Sequence, residues 1–198
     1  ETTANAAVSY SYDALNPEYI YALSVSLTSG DMSEYTAVAL PMTCKKAWQN
    51  LGMAQFYEGF WFGAYIGENN IYEKQLLKAP DGSETYKLVD PWDKATSDAI
   101  GYEYWGPSPD FVFYVDEEGY ITYNDIDINL SPDGARTIRY WFPAGVIDSD
   151  VPKNRMVMEN VAQIQWVPIF SNNGWFGQSF PAYISFPGGP DLAELLGL

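Results

Sequence analysis

The sequence predicts a mainly β protein, an antiparallel sandwich-like fold or a partly open barrel with few short helices, and three observations carry that expectation. Aromatic residues make up 17% of the 198 residues, with 16 Tyr and 7 Trp, and rings of this kind favour strands. Thirteen Pro and 16 Gly punctuate the chain, supplying many turns. Strand and turn signals outnumber helical ones from end to end. No Gly/Ser or Pro-rich tract marks a linker, so residues 1–198 read as a single β-rich domain. If the chain divides, a small N-terminal β lobe over 1–43 precedes a main module over 44–198.

Residues 19–27 and 35–42 read as two strands of a hairpin, joined through Thr28-Ser29-Gly30-Asp31. Residues 45–51 are expected to make one or two helical turns stopped by Gly52. Phe56, Tyr57, Phe60 and Trp61 then surround Glu58 in a stretch with the character of a buried strand or wide turn. Residues 72–78 and 85–89 flank the turn Ala79-Pro80-Asp81-Gly82 and predict a hairpin that stops at Asp90-Pro91. Residues 93–106 form an irregular excursion, helical in character over 94–100 and rich in aromatics and breakers afterwards.

A second hairpin is expected from residues 111–116, the turn Glu117-Glu118-Gly119, and residues 120–123. Ile126, Ile128 and Leu130 alternate with Asp127 and Asn129, the period of a half-buried strand, and residues 136–142 are expected to return antiparallel to it. Residues 161–170 supply a long strand in which Pro168 predicts an edge or a bulge. Residues 183–186 add one more strand, and 191–196 a short C-terminal helix.

Composition removes several functions. Ten Lys and Arg stand against 26 Asp and Glu, so the net charge is 10 − 26 = −16. A chain this acidic, with its few bases scattered, is repelled by nucleic-acid phosphate and by anionic membrane surfaces. With no histidine there is no Ser-His-Asp triad and no His-ligated zinc, and Cys44 has no second thiol with which to form a disulfide or a CxxC motif. No cofactor is expected. No apolar run of about 18 residues is present, so no transmembrane segment is expected in this chain.

The phrases Trp48-Gln49-Asn50-Leu51-Gly52-Met53-Ala54-Gln55-Phe56, Tyr72-Glu73-Lys74-Gln75, Tyr86-Lys87-Leu88-Val89-Asp90-Pro91-Trp92 and Asp116-Glu117-Glu118-Gly119-Tyr120 follow one another in order. Over about residues 46–142 this order resembles a pattern in exported proteins of gut Bacteroidetes, β-rich modules often tethered to the outer surface as lipoproteins. The resemblance implies an extracellular or outer-membrane-surface location and a binding or scaffolding role. It carries no catalytic residues, and Cys44 lies too far inside the chain to bear a lipid.

Four aromatics are the candidate ligand-binding residues: Tyr102, Tyr104 and Trp105 before Gly106-Pro107, and Trp175 after Asn172-Asn173-Gly174. Flat rings on loops suit stacking against sugar faces, with nearby Asn, Asp and Glu to bond the hydroxyls; their alternative use is to plug the ends of the β core. The expected function is a non-enzymatic cell-surface module that binds glycan or another surface macromolecule such as a surface protein. A structural spacer of a surface complex, without a ligand of its own, is the alternative. Asp125, Asp127, Asn129, Ser131 and Asp133 fall at the odd positions of a calcium loop, but Leu130 stands where such a loop needs Gly and Arg136 where it needs Glu. The expectation there is a strand with an acidic outer face. Acidic pairs such as Asp116/Glu117, Glu117/Glu118 and Asp148/Asp150 read as turn and solubility residues, and Glu58 as the carboxylate most desolvated by its neighbours, with a raised pKa.

Overall fold

Apolar side chains alternate with polar ones along most strands, and that period decides which face of the sheet turns inward. The computed structural model describes residues 20–26, 37–43, 47–60, 70–131, 133–141, 154–170 and 179–198. They fall into two compact units, residues 1–47 and 48–198. In the first unit β1 (Ile20–Ser26) and β2 (Ala37–Thr43) pair antiparallel, Ile20 opposite Thr43 and Ser26 opposite Ala37, as the hairpin signal predicts.

The second unit begins with β3 (Gln49–Glu58), β4 (Ile71–Lys78) and β5 (Thr85–Leu88). The helix α1 (Lys94–Ile100) and the two-residue strand β6 (Glu103–Tyr104) follow, then β7 (Phe111–Val115) and β8 (Ile121–Tyr123). Next come β9 (Ile126–Ile128), β10 (Leu130–Ser131), β11 (Ile138–Trp141) and β12 (Arg155–Met158). The long β13 (Val161–Phe170), β14 (Phe180–Ser185) and the helix α2 (Leu192–Leu196) complete it.

Ten strands form one antiparallel sheet in the order β8-β7-β5-β4-β3-β14-β13-β11-β9, with β12 also paired to β13. The expected hairpins β4–β5 and β7–β8 and the return of β11 along β9 are all present. Strands β8 and β9 stand at opposite ends of that order yet are separated in the chain only by Asn124 and Asp125. The sheet therefore has to curl, and it forms a half-barrel. Further bonds join β8 to the β12 region: Tyr120 bridges Arg155, the Ile121 N–H donates to the Asn154 carbonyl at 2.9 Å, and the Met156 N–H donates to the Gly119 carbonyl at 2.7 Å.

Inside the curl lies a core dominated by rings. Tyr140 stacks on Trp166 with centroids 4.5 Å apart, and Trp92, Phe56 and Phe111 surround the same indole. Burial of such large rings is the main stabilising contribution of the module. Glu58 lies fully buried among them, as its aromatic neighbours in sequence foretell. Its Oε1 accepts from the Phe60 N–H at 3.1 Å, the Tyr140 hydroxyl at 3.0 Å and the Trp166 Nε1–H at 3.2 Å. Burial, and then the Glu58 carboxylate, push the Tyr140 hydroxyl well above the ordinary tyrosine range.

Two expectations need correction. Of the helical turns expected over 45–51, residues 45 and 46 lie outside the described residues, and the rest give way to β3, already extended at Gln49. Gly52 does not stop a helix there: it sits at φ +114 where the β3–β4 register shifts, and a bulge absorbs the residue that breaks the alternation. The excursion over 93–106 is more regular than expected after its helix, since residues 103–104 pair with β10. Pro168 lies on a strand flanked by β14 and β11, but the β14 pairing ends at Trp166 opposite Phe180. Among the described residues Pro168 thus pairs on the β11 side only, opposite Tyr140.

On the outer face Tyr57, Val161 and Leu192 form a smaller cluster beneath α2. Asp191 caps that helix by accepting from the Glu194 N–H at 3.0 Å, and Gln55 of β3 holds it by accepting from the Leu192 N–H at 2.6 Å. Among the described residues no helix is long and apolar enough to cross a membrane.

Candidate functional site

The segment between β5 and β7 carries three of the four candidate aromatics, and polar bonds fix it at several points along its length. At its ends the Asp90 N–H donates to Asp110 Oδ1 at 3.1 Å. Trp92 is buried in the core and acts as the anchor. Asp93 caps α1 by accepting from the Thr96 N–H at 2.8 Å, and Gly101 closes it at φ +75. From β4 the buried Lys74 reaches across, its Nζ 2.8 Å from Asp93 Oδ2 and donating to Thr96 Oγ1 at 2.8 Å.

The return path is clamped as firmly. The Ser97 hydroxyl donates to the Tyr102 carbonyl at 2.7 Å, and Tyr104 pairs with Leu130 in the β6–β10 ladder. The Trp105 N–H donates to the Asn129 carbonyl at 2.9 Å, while Asn129 Nδ2 donates to the Pro107 carbonyl. These bonds set the directions of the rings. Tyr102 and Tyr104 are half-buried and pack against the core, whereas Trp105 is 45% exposed. The sequence groups all of them as loop rings; the structure instead pairs Tyr104 with the buried Leu130, and the next residue points outward. Trp175 lies outside the described residues.

Acidic groups surround the segment. Burial, then the charges of Asp93 and Asp110, push the Asp90 carboxyl above its ordinary value, against the Ser108 N–H and Lys74. Burial acts on Asp93 in the same direction, but Lys74 and the Thr96 N–H and hydroxyl outweigh it and hold that carboxyl low. Partial desolvation, then Asp90 and Asp93, raise the Tyr104 hydroxyl. Asp90 also has a left-handed backbone, φ +38, and its Oδ1 is buried without a hydrogen-bond partner.

A carboxyl raised by folding favours the fold below its unfolded pKa, and that contribution is lost as pH rises through the folded value. Asparagine tolerates the left-handed region and does not ionise. Asp90→Asn is therefore expected to melt at a higher temperature than the wild type at neutral pH, with the gap closing below about pH 4. Melts across that range check this; a variant no more stable than the wild type at neutral pH would show the ionised Asp90 to be favourable.

The acidic strand face is as expected, with Ile126 and Ile128 buried and Asp127 exposed. Asp127 accepts from Arg139 Nε at 2.7 Å and Nη2 at 2.9 Å, and Asp133 turns onto its own loop, accepting from the Ala135 and Arg136 N–H groups at 3.0 Å each. No group of three or more Asp, Glu or Cys suited to a metal ion occurs among the described residues. Asp116 shapes its turn by accepting from the Glu118 and Tyr120 N–H groups; Asp148 and Asp150 lie outside the described residues.

One feature was not expected from the sequence. The β7–β8 ladder pairs Phe113 with Tyr123 and goes no further. Ile126 pairs instead with Tyr140 of β11, so the two segments part and leave a cleft of about 370 Å³ between residues 109–112 and 124–127. Its only sequence signal is Asn124-Asp125, two consecutive exposed residues between two alternating runs. Compared with models of protein families, with curated proteins and with solved structures, the chain matches none of them.

Proposed function

We propose that the chain is a non-enzymatic binding module for glycan, displayed at a bacterial surface, with the Trp105 ring as its stacking platform. The observation that carries the reading is a large indole 45% exposed on a backbone held by the Asn129 carbonyl. An exposed ring on a fixed backbone offers apolar area to a pyranose face with little entropy left to lose on binding. The half-buried Tyr104 beside it is braced against the core, and the exposed Glu103 supplies a hydroxyl acceptor. The carboxylates of Asp116, Asp127 and Asp133 are engaged in turns and ion pairs, which supports binding over hydrolysis. Placement at the surface rests on the resemblance over residues 46–142 alone.

The second reading, a spacer within a surface complex, is favoured by Val112 and Tyr114, both exposed on the outer face of β7. A glycan array followed by calorimetric titration separates the two. A single site of this kind should bind at about micromolar to millimolar affinity. Trp105→Ala is expected to weaken binding by about 1–3 kcal/mol while leaving the melting temperature unchanged, because an exposed ring contributes little to the core. A wild type that binds no glycan, with a variant that loses several degrees, would transfer the case to the spacer.

A further inference from the structure

The segment that holds Trp105 continues directly into the cleft. Residues 103–105 run antiparallel to 129–131, Trp105 bonded to Asn129, and Asp127 lies two residues before Asn129 on the same segment. Two residues of extended chain span roughly 7 Å, which is within the length of a short oligosaccharide. We infer that the cleft is a second sugar subsite beside the Trp105 platform, and that it takes a neutral pyranose in preference to a uronic acid or a sulfated sugar. The inference rests on the glycan-binding reading and extends it to a chemical class.

The cleft's shape and chemistry support that class. Its volume, about 370 Å³, lies at the small end of ligand sites, roughly 300–1,000 Å³. Apolar lining comes from the buried Phe111 and Ile126 and from the exposed Pro109 and Val112, and polar lining from Asp110, Asn124, Asp125 and Asp127. A pyranose has the matching division between a C–H face and a belt of hydroxyls.

Charge narrows the class further. Asp127 is gripped by Arg139, and Asp110 lies 3.1 Å from Lys87 Nζ. A carboxylate already paired with a base is fixed in direction, accepts from a hydroxyl and has little to offer a metal ion. The Arg139 guanidinium beside Asp127 supplies donors for a neighbouring hydroxyl. Asp125 adds a further carboxylate to the lining, and the net charge of the chain, −16, repels anionic sugars at long range.

The test uses the full chain, labelled for amide NMR, with α-mannan and β-glucan oligosaccharides of one to four sugars and oligogalacturonate of the same lengths. The expected result is that a neutral tetrasaccharide shifts the amides of Val112, Asn124 and Asp125 together with the Trp105 indole, while oligogalacturonate shifts neither. Asn124→Trp, at an exposed position, fills the cleft and should weaken tetrasaccharide binding about tenfold with monosaccharide binding unchanged. Shifts at Trp105 alone, with Asn124→Trp binding like the wild type, would overturn the subsite and leave the platform standing. Stronger cleft shifts with oligogalacturonate would overturn the neutral class. No response at either place to any of these sugars would overturn both the subsite and the glycan reading.

Discussion

Glu58→Ala is expected to lose about 3–5 kcal/mol of stability, enough to threaten the fold of a module this size. The carboxylate lies in the middle of the curl, and one oxygen, Oε1, takes three donors: the Phe60 N–H, the Tyr140 hydroxyl and the Trp166 indole N–H. Truncation leaves those donors buried without that acceptor, at about 1 kcal/mol each where water enters the vacated space, and the void adds to the loss. Glu58→Gln keeps an oxygen at the same place and should be much milder. Urea unfolding of the two variants at neutral pH measures the difference. Equal and small losses would show that the rings hold together without the acceptor.

Lys74→Met should cost about 2–4 kcal/mol, less than a fully enclosed pair would, because the Asp93 side chain is 37% exposed and water offsets part of the loss. Methionine fills the stem of the buried lysine, so the change isolates the ammonium from the packing. Its removal takes the ion pair from Asp93 and the donor from Thr96 Oγ1. A pH series gives a second readout. The lowered Asp93 carboxyl stabilises the fold above its unfolded pKa, and this is lost as pH falls through the folded value. Wild type should therefore lose stability on the acid side and Lys74→Met should lose less. Parallel pH profiles would place the stabilisation in packing instead. Because Asp93 also caps α1, whose Ser97 holds the Tyr102 carbonyl, the variant should loosen the mount of Trp105 as well.

Local signals were strongest where a turn residue and a period-two run coincided. The β4–β5 and β7–β8 hairpins and the C-terminal helix fall where Pro-Asp-Gly, Glu-Glu-Gly and Asp191 put them. Residues 45–51 misled because a short polar-apolar run satisfies both periods, and Gly52 serves a bulge as readily as a helix end. The candidate site was legible in part. Trp105 is exposed and Tyr102 and Tyr104 pack inward, a difference that the sequence left open, since the pairing that turns these rings depends on residues 129–131, far along the chain.

By itself, the sequence determined the β class, most of the strands, the burial of Glu58 among aromatics and the exclusion of histidine chemistry, for each of these depends on composition or on neighbours within a few residues. Only the tertiary structure decided that β8 and β9 would stand at opposite ends of one strand order, that three donors would converge on a single carboxylate oxygen, and that a cleft would open where the β7–β8 ladder stops. These depend on residues from distant segments meeting in one register. Nothing local specifies that register; it is selected by the burial of rings contributed by many strands at once.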